Sequence, residues 1–153
     1  LMQAAEKRAA CPDYAIRNIE RLSQGPINPQ QDPESVLHSD IFFNSHKSWL
    51  YLTDVELEHG PLVFVKRSHR LSLKQLKFVY QESCHENRGS RRITQDELKS
   101  LGLEETVFTC PKNTLVIANT LGYHRRLRGE PGRVRYALHM QLRTNPFTWW
   151  QYR

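Results

Sequence analysis

Trp49–His69, WLYLTDVELEHGPLVFVKRSH, is the stretch from which the fold can be read. It divides into two strands joined at a turn carried by Glu58, His59, Gly60 and Pro61, where glycine supplies the backbone freedom and proline the stiffness that a turn requires. Downstream, Asn113–His124, NTLVIANTLGYH, reads as a strand followed by a glycine and a histidine. Glu105–Cys110 reads as a further strand that leads into it through Pro111. Short strands with turn signals, rather than strands alternating with long helices, point to an antiparallel sheet or barrel.

Gly132–Arg143 alternates along its length: Val134, Tyr136, Leu138, Met140 and Leu142 make an apolar face, and Arg133, Arg135, Ala137, His139 and Gln141 a mostly polar one. An antiparallel strand with its polar face in water has this pattern. So does a barrel strand whose polar face lines an interior that binds an acid.

Upstream, Ser35–Phe43 is SVLHSDIFF. Strand side chains alternate with period two, so His38 and Asp40 project to one side and can chelate one metal. An imidazole nitrogen and a carboxylate oxygen suit divalent iron. A third ligand completing one face of the octahedron leaves the opposite positions open for substrate and oxygen. His124 is the candidate for that third ligand. His-x-Asp alone arises by chance in many proteins, so the assignment depends on the blocks that accompany it.

The order His-x-Asp, then a tryptophan strand, then Asp54-Val55, Gly60-Pro61-Leu62, Phe64-Val65 and Ser68-His69 resembles the phytanoyl-CoA dioxygenase family of iron and 2-oxoglutarate oxygenases. The likeness covers roughly residues 36–143. In that family the last turn reads Pro-Gly-Ser-His; here Lys66-Arg67 stands in place of Pro-Gly. The resemblance implies a mainly β double-stranded β-helix, the jelly roll or cupin-like fold, with a few flanking helices and iron near one open end. It implies His38, Asp40 and His124 as the catalytic metal ligands, with Fe(II) as cofactor and 2-oxoglutarate as cosubstrate. Arg135 opens a run resembling the family's Arg-x-Ala-Leu, whose arginine pairs with the distal carboxylate of 2-oxoglutarate. A planar guanidinium binds both carboxylate oxygens at once, which suits arginine to this task. Arg133, on the same face, is the competing choice. Trp49 matches by spacing a tryptophan that lines the cosubstrate pocket, and a large core residue is its plainer reading. A small hydroxyl residue that the family often has two positions after the distal histidine is Arg126 here. The implied reaction is hydroxylation of a small organic or acyl substrate by molecular oxygen, with 2-oxoglutarate cleaved to succinate and carbon dioxide. Related halogenases lack the carboxylate ligand, so Asp40 favours oxygen transfer.

Two readings of other classes stand beside this one. A cupin-type metalloenzyme independent of 2-oxoglutarate would use the triad without Arg135, and a degenerate or truncated jelly-roll binding domain would keep the fold without turnover. The chain has 153 residues and begins at Leu1, and only 37 residues precede His38, fewer than in the family, so a truncated member is expected.

A composition of 39% hydrophobic and 25% charged residues is that of one globular domain, read as a single oxygenase domain over 1–153. Residues 1–35 form a helical and loop segment within it, and 36–143 the core. The helical reading of 2–23 rests on Ile16, Ile19 and Leu22 at helical spacing after Pro12 and Asp13. Helices are also expected over 71–81 and after the capping box Thr94–Glu97, the latter ending near Gly102. No apolar stretch is long enough for a membrane span, and no secretion signal is visible, so a cytoplasmic location is expected. Three cysteines, Cys11, Cys84 and Cys110, without C-x-x-C spacing, fit a reducing compartment. The net charge is +6, and Arg125, Arg126, Arg128, Arg133 and Arg135 crowd the distal histidine. Such a cluster is suited to drawing in an anionic substrate, although most charge runs are solvated surface. Nucleic acid is not the expected partner. Substrate identity, oligomeric state and the role of the aromatic tail, Phe147 to Tyr152, are not legible.

Overall fold

The computed structural model describes residues 14–23, 32–40, 45–70, 72, 73, 76, 77, 80 and 91–143. The strands are β1 (Tyr14–Ser23), β2 (His38–Ser39), β3 (Ser45–Tyr51), β4 (Leu62–Val65), β5 (Arg91–Arg92), β6 (Glu105–Phe108), β7 (Leu115–Asn119), β8 (His124–Arg126) and β9 (Val134–Arg143). They form two antiparallel sheets, one in the order β1-β9-β3-β7 and the other β5-β2-β8-β4-β6. Strands distant in sequence are neighbours in both sheets: the antiparallel sheets expected from the turn-punctuated strands are present, in the mainly β jelly roll that the resemblance implied.

Between the sheets lie Trp49, Tyr51, Val55, Leu62, Ala118 and Ala137, with Phe64, Cys110 and Val116 packed against them. A second apolar cluster joins Leu37, Val65, Ile93, Leu98 and Tyr123. Its Leu98 comes from helix α1 (Gln95–Ser100), which begins at the expected capping box: Thr94 and Glu97 satisfy each other's backbone amides. Gly102 follows with φ 69°, a left-handed conformation that glycine tolerates without strain. Burial of this kind contributes about 25 cal/mol per Å² of apolar surface removed from water. The cluster therefore fastens α1 to the residues that directly precede His38 and His124.

The polar face of β9 is the inward one. Arg135, Ala137 and Gln141 are buried, whereas Tyr136 on the alternate face is 39% exposed. Of the two arrangements compatible with the alternation, the interior-lining one is found.

The N-terminal reading requires correction. Residues 14–23, expected to be helical, form β1, paired antiparallel with β9. The register shifts between Ile16 and Asn18, a bulge that inserts an extra residue. Ile16 and Ile19, opposite Met140 and Leu138, are therefore three apart rather than two, a spacing that suits a helix as well as a bulged strand. The helix expected over 71–81 is present at Leu73, Leu76, Lys77 and Tyr80, with Leu76 N donating to Ser72 O at 2.8 Å. The readings of 2–13, 24–31, 81–90 and the aromatic tail, with Cys11 and Cys84, lie outside the described residues. Among the described residues no helix is long and apolar enough to cross a membrane.

Candidate metal centre

His38 and His124 stand directly opposite each other as Cα partners of β2 and β8. Cross-strand neighbours share a face, so the two imidazoles meet, with ring centroids 4.6 Å apart. Each ring is oriented by its own strand: Nδ1 of His38 lies 2.8 Å from Val36 O, and Nδ1 of His124 lies 2.9 Å from Gly122 O. A carbonyl can only accept, so both Nδ1 atoms carry a proton, and in the neutral form of each ring that leaves the lone pair on Nε2. Each Nε2 is buried without a hydrogen-bond partner. Buried nitrogens left in this state are costly unless something outside the chain completes them.

Asp40 follows β2 directly, its N–H bonded to Thr120 O at 3.2 Å. Its Oδ1 lies 3.6 Å from Nε2 of both histidines. The three residues bring one donor atom each within 4.8 Å of one another, a group that could hold a metal ion. Burial raises the Asp40 pKa, but the hydrogen bond and charge of Lys47, with His124 and Thr120, outweigh it and hold the carboxyl below its ordinary value. Burial pushes the His124 pKa down, against the hydrogen bond to Gly122, and the imidazole stays neutral. An ionised carboxylate and a neutral imidazole are the forms in which these groups bind a divalent cation.

The segment carrying His124 is held by several bonds. Ser39 Oγ donates to Leu121 O at 2.9 Å, Val65 N to Tyr123 O at 2.9 Å, and Tyr123 N to Ser68 Oγ at 2.8 Å. Ser68 Oγ itself donates to Val65 O at 2.7 Å, so the Ser68 hydroxyl ties the turn after β4 to the approach of β8. Arg67, the second residue of the Lys66-Arg67 pair noted in the sequence, has φ 68°. The turn is therefore left-handed at a residue other than the glycine that suits this conformation.

Beside the triad lies a cavity of about 110 Å³ lined by Lys47, Trp49, Tyr51, His124, Arg135 and His139, among others. Trp49 stacks on His139, with ring centroids 5.5 Å apart and planes 11° from parallel. It is thus both core and cavity wall. Arg135 is 6% exposed, donates from Nη1 to Gly60 O and lies over the Tyr51 ring at 5.5 Å. Arg133, its competitor, is half exposed and paired with Glu58 at 3.1 Å. Arg125 and Arg126 also line the cavity, each with an ion-pair partner: Glu105 at 2.6 Å and Asp32 at 2.7 Å. Much of the charge clustered near His124 is therefore balanced within the protein.

Two groups were missed in the sequence. Lys47 Nζ lies 2.8 Å from Asp40 Oδ2 with its side chain 16% exposed. Period two along β3 places it on the face of Trp49 and Tyr51, and that alternation was the available signal. Glu34 Oε2, on the turn Pro33–Ser35, lies 3.6 Å from His38 Nε2. Nothing in its local sequence distinguishes it from an exposed glutamate.

No protein-family model matches the chain, and no curated protein sequence does. Solved structures do resemble it in fold. HygX from Streptomyces hygroscopicus with nickel and 2-oxoglutarate bound superposes with a TM-score of 0.55 at 14% identity, covering 95% of this chain and 62% of that one. EvdMO1 gives 0.54 at 13% identity, over 88% of this chain and 28% of that one. The non-heme alpha-ketoglutarate-dependent epimerase SnoN from nogalamycin biosynthesis gives 0.52 at 18% identity, over 91% and 50%. The chain spans 28 to 62% of the length of these proteins.

Proposed function

We propose that the protein is an Fe(II)- and 2-oxoglutarate-dependent oxygenase, resembling the phytanoyl-CoA dioxygenases, that hydroxylates a small organic or acyl substrate. The observation that carries this reading is the pair of buried, unpartnered Nε2 atoms of His38 and His124 facing the Oδ1 of Asp40. Two nitrogens and one oxygen on one side of an ion, with open positions opposite, are the donor set of non-heme iron oxygenases. Two of the proteins similar in fold are described with alpha-ketoglutarate dependence or with bound 2-oxoglutarate, which fits this donor set.

The chemistry supplied by bound iron would be oxidative cleavage of 2-oxoglutarate to succinate and carbon dioxide, coupled to placing oxygen on a substrate carbon. His38, Asp40 and His124 would hold the ion through Nε2, Oδ1 and Nε2. Arg135 would take the distal carboxylate of 2-oxoglutarate, since its fork is buried and lines the same cavity as His124. The stacked Trp49 and His139 rings would form a flat wall against the cosubstrate carbons.

Residues 36–143 would form the jelly-roll core of this single oxygenase domain. An anionic substrate is the class we favour, because Arg125 and Arg126 line the cavity and a bound anion could take the place of their ion-pair partners Glu105 and Asp32. Replacing both with glutamine should raise the substrate KM and flatten its salt dependence; unchanged values would exclude the anionic class. The reaction itself is tested by following succinate release from 2-oxoglutarate in the iron-loaded protein. D40A should abolish it, and release at the wild-type rate would refute the ligand set.

A further inference from the structure

Asp40 divides its two oxygens between two tasks. Oδ1 faces both imidazoles at 3.6 Å, while Oδ2 is held at 2.8 Å by the ammonium of Lys47. Lys47 reaches Asp40 from the opposite sheet, on a strand paired on both edges: Ala118 is its Cα partner in β7 and Gln141 in β9. Its backbone therefore cannot drift, and only its side chain sets where the ammonium sits.

We propose that Lys47 is a positioning residue that confines Asp40 to ligation through one oxygen. This rests on the metal reading above. The physical case concerns what the alternative requires. Ligation through both oxygens would displace the ammonium from Oδ2 and leave it in a site where its side chain is 16% exposed, with its buried charge uncompensated. Keeping the ion pair instead leaves Oδ1 as the single oxygen aimed between the histidines. The consequence lies in the number of open positions. A six-coordinate ion with one donor from each of three residues has about three positions left, enough for a two-point oxo-acid chelate and for oxygen. A two-oxygen aspartate would remove one of them.

The test counts water molecules on a bound ion and needs no turnover. The purified chain is titrated with Mn(II), and its inner-sphere waters are counted by water-proton relaxation, with K47M, K47A, K47R and D40A in parallel. Wild type should show about three exchangeable waters, and K47M and K47A about two, as Asp40 turns its second oxygen to the ion. K47R, which retains a cation, should stay close to wild type, a rescue that mere space-filling would not give. Wild-type water counts in both K47M and K47A would overturn the inference while leaving the metal centre standing. Failure of the folded wild type to take up Mn(II), or uptake unaffected in D40A, would overturn the metal reading and this inference together. Two truncations of different volume are used so that the result does not depend on one of them folding.

Discussion

Arg67 and Gly122 show how single backbone positions support the centre. Arg67 holds φ 68° in the turn whose next residue, Ser68, anchors Tyr123. A side chain in the left-handed region costs roughly 1–2 kcal/mol. R67G should therefore stabilise the protein by about 1 kcal/mol after the extra freedom of glycine in the unfolded chain is subtracted. Urea denaturation would check this, and a lower midpoint at an unchanged slope would contradict it. Gly122 has the opposite character. A Cβ there would meet Phe64 Cζ at 2.6 Å and Ser68 Oγ at 2.9 Å. G122A should cost on the order of 1–3 kcal/mol by overpacking, and it should weaken Co(II) binding because Gly122 O orients His124. At this scale the triad was legible, since His38, Asp40 and His124 sit in blocks with recognisable spacing. Lys47 was missed: lysine is nearly always a surface residue, so the alternation that puts it on the face of Trp49 and Tyr51 carried little weight until β3 is seen between β7 and β9.

The elements explain why the histidines meet. Leu37 and Tyr123, each one residue before a candidate ligand, are buried in the cluster that includes Leu98 of α1. The small helix is therefore a backing for both ligand strands. Leu98 is 2% exposed, and L98A should cost about 2–5 kcal/mol by opening a cavity. The same variant should lower Co(II) affinity through the loosened β2 and β8; full affinity would show that α1 does not buttress the centre. The capping box made α1 readable from four residues, because the signal is local. β1 was misread because its signal is not local: a bulge disrupted its period, and its pairing partner lies over a hundred residues away in β9. β9 allowed two burial patterns, and only the opposing sheet decides between them.

For the molecule as a whole, the two sheets bring separate parts of the chemistry together. One carries His38 and His124 at paired positions in β2 and β8, and the other carries Lys47, Trp49 and Arg135 on β3 and β9. Turn signals between the strands made an antiparallel β architecture readable, and the resemblance carried by the order of blocks narrowed it to a jelly roll. The ion pairs that balance Arg125 and Arg126 were invisible in sequence, as Glu105 and Asp32 are distant from them along the chain. The central claim is that one site holds Fe(II) through the triad and 2-oxoglutarate through Arg135. Anaerobic titration of the chain with Fe(II) and then 2-oxoglutarate tests it most directly, by the weak visible charge-transfer band of a metal-chelated oxo acid. The account predicts such a band in the wild type. R135A should require roughly thirty-fold more 2-oxoglutarate or worse to reach it, as removal of a buried charged partner costs on the order of 2–5 kcal/mol. No band in an iron-loaded, folded protein, or a band equally strong in R135A at the same concentration, would contradict it.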